Sequence, residues 1–219
     1  MHRNFHKSQR QDVSILSLGN EWNEGWKIRV FETIWQAYDK LMEFYKVNGK
    51  NAKDEIENQI TSDLVLNAND VKYDVLEGFP PTETRKLQFH NQPPDEKKSN
   101  DIGVFLGVDN KPVFIFESKK IESLSEKQDW RGILSYQKDL QAYLDEYYGS
   151  HLPESALIAY LHIGTTDKMF ELIKTSIKTK LKQFSKFASR PHKTSKHKKT
   201  ISSSANKDFL CHHLIFEMF

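Results

Sequence analysis

Residues 100–120 (NDIGVFLGVDNKPVFIFESKK) constrain this chain more than any other stretch. Two short apolar runs flank the turn-forming pair Asp109-Asn110, the pattern of two neighbouring strands. Strands this apolar belong in a sheet covered on both faces, yet the second run leaves through Glu117-Ser118-Lys119. Side chains alternate along a strand, so Val113, Ile115, Glu117 and Lys119 are expected on one face, with a carboxylate and an ammonium side by side. A hairpin turning at Asp109-Asn110 sets Asp101 opposite residue 117 or 118, within one position. Two acids and a lysine are therefore expected to converge.

Paired carboxylates on adjacent strand ends suit a hard divalent cation, Mg2+ or Mn2+, which takes oxygen ligands and keeps several waters. A neighbouring lysine can hold the attacking water and offset charge developing on a phosphate. An acid followed by Glu-x-Lys arises easily by chance in a chain that is 28% charged. Here the acid opens one apolar strand and Glu-x-Lys closes the next, whereas ordinary charged pairs sit on solvated helix faces. The competing reading is an ion pair at a sheet rim.

Asp101 with Glu117-Ser118-Lys119 resembles the motif of the PD-(D/E)XK nuclease superfamily, an Asp followed at the end of the next strand by (D/E)-x-K. The proline that often precedes the Asp is Asn100 here. The resemblance implies an α/β fold of restriction-endonuclease-like type, a mixed central sheet flanked by helices with an α-β-β-β-α-β core. It implies a metal-dependent nuclease in which Asp101 and Glu117 hold Mg2+ or Mn2+ and Lys119 orients and helps deprotonate water. Two supporting residues follow from it: an acid on the N-terminal core helix, Glu57 with Glu55 as competitor, and Gln137 on the helix after Glu-x-Lys. Without the resemblance, Glu57 reads as a solvated acid and Gln137 as an amide satisfying a buried backbone group.

At 219 residues the chain is expected to be one domain, 1–219, with an N-terminal helical part 20–67, a core 68–189 and a flexible basic loop 190–207. Mean hydropathy of -0.68 and the polar start Met1-His2-Arg3-Asn4-Phe5-His6-Lys7 predict no membrane span, no signal peptide and a cytoplasmic location. Cys211 is the sole cysteine, which excludes an internal disulfide. His212 and His213 are adjacent on an expected strand and point to opposite faces, which argues against zinc. No glycine-rich phosphate cradle occurs.

Charge is unevenly spread. Residues 172–207 carry 11 Lys and Arg and no acid, although the whole chain is only +2. Lys174, Lys178 and Lys182 fall at i, i+4 and i+8 and so are expected to form one cationic ridge on the last helix, continued by Arg190, Lys193, Lys196, Lys198 and Lys199 in the loop. The expected partner is DNA, with RNA second, and a C2 homodimer would suit cutting both strands.

Periodicity predicts helices over 24–47, 51–66, 122–148 and from Asp167 through Phe184, and strands at 71–73, 87–89, 156–163 and 209–216. The expected function is phosphodiester hydrolysis in restriction or defence against foreign DNA. A non-enzymatic nucleic-acid- or protein-binding module on the same fold is the rival. A small-molecule hydrolase would need a deep apolar pocket and leaves the basic region unexplained.

Overall fold

The computed structural model describes residues 22–91, 101–107, 111–124, 132–145, 152–200 and 207–219. Asn23 caps the first helix, α1 (Glu24–Val47), by accepting from the Trp26 N–H at 3.1 Å. Its buried stripe of Trp26, Val30, Ile34, Ala37, Leu41 and Tyr45 follows the expected spacing. A 3-10 turn, Ala52–Asp54, leads into α2 (Glu57–Val75), which is longer than expected. Val71-Tyr73, expected as a strand, forms its last turns, because Ile60, Leu64, Ala68, Val71 and Val75 continue one helical face. Three residues were too few to reveal that period. Pro81 opens the short α3 (Pro81–Lys86).

One seven-stranded sheet follows: β1 (Leu87–Asn91), β2 (Ile102–Leu106), β3 (Phe114–Ile121), β4 (Glu154–Leu161), β5 (Lys182–Gln183), β6 (His192–Lys198) and β7 (Asp208–Glu217), in the order β1-β2-β3-β4-β7-β6-β5. β3, β4 and β7 run parallel, and the other pairings are antiparallel. The chain passes α2-α3-β1-β2-β3-α4-β4 through the part that carries the motif, the short α3 being additional to the expected order, with α4 (Ile133–Leu144) as the crossover. α5 (Thr166–Ile177) follows β4, capped by the Thr165 hydroxyl, which accepts from the Lys168 N–H at 3.3 Å.

The sheet separates two hydrophobic clusters. α1 and α2 cover one face through Phe31, Ile34, Leu64, Phe114, Phe116, Ile158 and Phe216, while α4 and α5 cover the other through Ile115, Tyr136, Tyr143, Leu157, Phe170 and Ile215. Each such side chain contributes about 1.5–3 kcal/mol on burial. His212 and His213 diverge as expected, His212 toward Phe31 and His213 toward Tyr136. Val113 lies just before β3 and packs with the α1/α2 cluster, so it does not share the face of Ile115.

Two expectations fail in the C-terminal third. α5 ends at Ile177, with Lys178 in the left-handed region at φ 51°. Leu181 packs into the α4/α5 cluster and Phe184 into the α1/α2 cluster, on opposite faces of the sheet, which no single helix stripe could reach. Residues 192–198, expected within the flexible basic loop 190–207, form β6 instead, paired along its length with β7. Ser195, half-buried Thr194 and buried His192 supply inward positions that the lysine-rich composition hid. Residues 201–206 of that stretch, like the 109–110 turn and parts of the expected 122–148 helix, lie outside the described residues. Among the described residues, no helix is long and apolar enough to cross a membrane.

Candidate functional site

The β2–β3 register pairs Ile102 with Phe116 and stops there, which sets Asp101 beside Glu117 one step further on. From Glu117 onward no strand among the described residues pairs with β3 on that side, so its outward N–H groups need other acceptors. Carboxylates supply them. Asp101 Oδ2 accepts from the Ser118 N–H at 2.6 Å and from the Ser118 hydroxyl at 2.8 Å. Two residues along, Glu57 Oε2 accepts from the Lys120 N–H at 2.5 Å.

The buried Lys120 side chain fixes the second of these. Its ammonium donates to the carbonyls of Lys53 at 3.0 Å and Glu55 at 2.9 Å, which ties the start of α2 to β3. Glu57, the first residue of α2, is thereby presented to the strand edge, whereas the Glu55 carboxylate turns to Lys50 at 3.5 Å. Further along α2, the Thr61 hydroxyl stands 2.9 Å from the Ser118 hydroxyl and 3.2 Å from that of Tyr160.

Lys119 points to the other side of β3. Its ammonium lies 3.4 Å from Glu57 Oε1 and 3.4 Å from Asp139 Oδ2 on α4. The Lys119, Glu57 and Asp139 side chains keep 19, 27 and 17% of their surface, so the cluster is open to solvent on this side. Glu117 is only 4% exposed, and its buried Oε1 has no hydrogen-bond partner among the described residues.

Burial pushes the Glu117 carboxyl well above its ordinary range, and repulsion from Asp101 and Asp139 adds to that against the pull of Lys119. Asp139 is raised to about 6, first by burial and then by Asp101, with Lys119 opposing. Burial works against the Lys119 charge, but Asp139, Glu57 and Asp101 outweigh it and hold the ammonium firmly protonated. The cluster thus carries more negative charge than its one lysine compensates.

Asp139 was not among the residues expected from sequence. On α4 the buried stripe is Ile133, Tyr136, Leu140 and Tyr143, with Asp139 flanking one edge and Gln137 the other. Residues two apart on a helix are about 200° apart, so only one of them can face β3. Gln137 instead lines a cavity of about 450 Å³ with Leu134, Gln141, Ile177 and His197. It is not brought to the carboxylates.

The expected basic surface is dispersed as well. With α5 ending early, Lys174, Lys178 and Lys182 lie on a helix, a left-handed cap and β5 respectively, not on one ridge. Lys174 pairs with Glu171 at 3.1 Å, and Lys198 with Asp208. Arg190 is bound by both oxygens of Asp39 and stacks on Trp35. Lys193 sits over the Phe170 ring at 4.2 Å, and the buried Lys199 near Phe209; on β6 Lys196 and Lys198 are exposed.

A hard cation fits the donor set on one specific ground: a buried, unpartnered carboxylate oxygen on Glu117 beside a second carboxylate, Asp101. Among the described residues no group of three or more His, Cys, Asp or Glu is arranged to hold a metal ion, so two carboxylates would leave much of the coordination to backbone and water. No protein family matches the chain, and neither a curated protein nor a solved structure is significantly similar to it.

Proposed function

We propose that this protein is a metal-dependent nuclease of the PD-(D/E)XK type that hydrolyses phosphodiester bonds, chiefly of DNA, in restriction or defence against foreign DNA. The observation that carries the reading is the orphaned Glu117 Oε1 in a cluster with Asp101 and Lys119, where an excess of carboxylate calls for a cation. The chain order α2-α3-β1-β2-β3-α4-β4, with a mixed sheet between helices, is compatible with the restriction-endonuclease-like core once the short α3 is set aside.

Asp101, Glu117 and the Ser118 carbonyl would hold Mg2+ or Mn2+. When bound, such an ion polarises the phosphate and stabilises the leaving oxygen. Lys119, held as an ammonium by Glu57 and Asp139, donates to the attacking water and offsets charge on the phosphate rather than taking a proton itself. Glu57 and Asp139 fix the lysine from two elements, α2 and α4, so its position does not depend on one flexible side chain.

A second reading has its own support. Asp101 and Glu57 satisfy β3 edge N–H groups, a structural task that a non-enzymatic binding module on this fold would keep. The deciding experiment offers duplex, single-stranded, flapped and RNA substrates to the purified protein with Mg2+ or Mn2+. Cleavage that Lys119→Ala abolishes supports the nuclease. Intact substrates while Mn2+ binds stoichiometrically would sink it.

A further inference from the structure

We propose that the groove between α2 and the edge strand β1 binds one nucleotide unit of a polynucleotide strand, its phosphate on Arg85 and Lys72 and its base on Tyr73, and leads that strand to the carboxylate cluster. The proposal rests on the nuclease reading for what happens at the far end of the strand, but the groove itself stands on separate observations.

A cavity of about 350 Å³ opens there, lined by Asn69, Lys72, Tyr73, Arg85, Gln88 and His90. Lys72 is only 6% exposed, and its ammonium is held by the Leu87 carbonyl at 2.6 Å and Asn69 Oδ1 at 3.4 Å. No carboxylate pairs with it among the described residues, and burial lowers its pKa accordingly. Arg85 is exposed and likewise makes no ion pair among the described residues. A buried charge without a counter-ion is costly, so the buried Lys72, with the exposed Arg85 at the same cavity, favours an anionic occupant.

Tyr73 narrows the class of anion. The residue is 57% exposed at the cavity wall, with Lys72 Nζ 5.4 Å from the ring centroid. An exposed ring beside cations suits a flat group carrying a phosphate, whereas a simple carboxylate would leave the ring uncovered. The amides of Gln88 and Asn69 add polar edges, although Asn69 is engaged by the Phe89 backbone at 2.7 and 3.3 Å.

Position ties the groove to the cluster. α2 follows the free edge of the sheet from one to the other: Asn69 meets Phe89, Ser62 accepts from Asn91 Nδ2 at 2.7 Å, Thr61 meets Ser118, and Glu57 meets Lys120. From Asn69 to Glu57 is about 18 Å along the helix, the reach of a few nucleotides.

The test measures binding of a fluorescein-labelled single-stranded DNA decamer, with Ca2+ replacing Mg2+ so that affinity is read without turnover. Arg85→Gln is expected to weaken binding and make the salt slope shallower by about 0.7. Tyr73→Leu is expected to weaken binding about fivefold or more at an unchanged slope. Both residues are exposed, and unchanged far-UV circular dichroism verifies that the variants fold. Deoxyadenosine monophosphate should displace the decamer only at far higher concentration. Affinities unchanged in both variants overturn the groove, and so does a mononucleotide that competes as well as the decamer. The two readings fail separately: Mg2+-dependent cleavage lost in Lys119→Ala with normal binding by the groove variants leaves only the nuclease, and the reverse pattern leaves only the groove.

Discussion

The Lys119 ammonium stands 3.4 Å from Asp139 Oδ2, and with Glu57 Oε1 at the same distance it is held between two carboxylates from different helices. Neither acid belongs to the strand pair that carries Asp101 and Glu117. The lysine therefore reports on whether β3, α2 and α4 are correctly docked.

Removing the ammonium should abolish turnover and spare binding. Lys119→Ala is expected to lower kcat by about a hundredfold or more, the scale for losing a charge aimed at a developing oxyanion. Its affinity for substrate, measured with Ca2+, should remain within a few-fold of the native protein. Loss of binding in parallel with kcat would mean that the lysine only holds substrate.

Asp139 and Gln137 separate the two edges of α4. Asp139→Asn leaves Lys119 one carboxylate short and should reduce kcat about tenfold with little change in KM, as expected when a catalytic group loses orientation. Gln137→Ala faces the other way and should leave kcat within twofold. Steady-state kinetics on the two variants checks the assignment, and the reverse ranking would restore Gln137 to the site.

Asp101 has a structural and a proposed metal-binding task, and two substitutions divide them. Asp101→Asn keeps an oxygen for the Ser118 N–H and hydroxyl and should retain stability while weakening Mn2+ binding by at least about tenfold, since a neutral amide is a poorer ligand for a hard cation. Asp101→Ala orphans those donors and should also cost about 1–3 kcal/mol in urea unfolding. Equal Mn2+ affinity in the native protein and the Asn variant would remove Asp101 from the metal site.

Acid should unfold the protein through its histidines before its surface carboxylates matter. Burial holds His213 down to about 3 and His162 to about 4, against an ordinary value of 6.5. A depressed histidine contributes stability that is complete above about pH 6.5 and is lost as pH falls through about 4 and then 3. Glu154 acts in the same direction over a lower window. Its burial is outweighed by hydrogen bonds from His212 and Trp22 and by Lys27, so it titrates near 2, and stability present above about 4.5 is lost toward that value. Glu154→Gln should flatten the lowest part of the profile and cost about 1–3 kcal/mol at pH 7, because Lys27 keeps Glu24 at 2.8 Å but loses its second carboxylate. Urea midpoints at pH 7, 5 and 4 test this, and a midpoint independent of pH would refute it.

Residues close together in sequence carried most of what could be read early. α1, with its stripe from Trp26 to Tyr45, was legible to the residue because a long amphipathic period resists misreading. β6 was not, because its inward His192 and Ser195 are polar and its lysines resemble a solvated tail. Glu57 was a choice between two acids, and only the Lys120 ammonium, by binding the carbonyls of residues 53 and 55, sets which one meets β3.

The sequence by itself determined the convergence of Asp101 with Glu117, since hairpin register and side-chain alternation are local and leave little freedom. It likewise determined that His212 and His213 diverge. Tertiary structure decided which edge of α4 and which acid of the α2 entry face that pair, because helix rotation about its own axis is set by packing on the sheet, not by the period of its stripe. It also decided the fate of the basic residues. Leu181 and Phe184 are drawn to opposite faces of the sheet, so the helix that would have aligned Lys174, Lys178 and Lys182 breaks before the ridge can form.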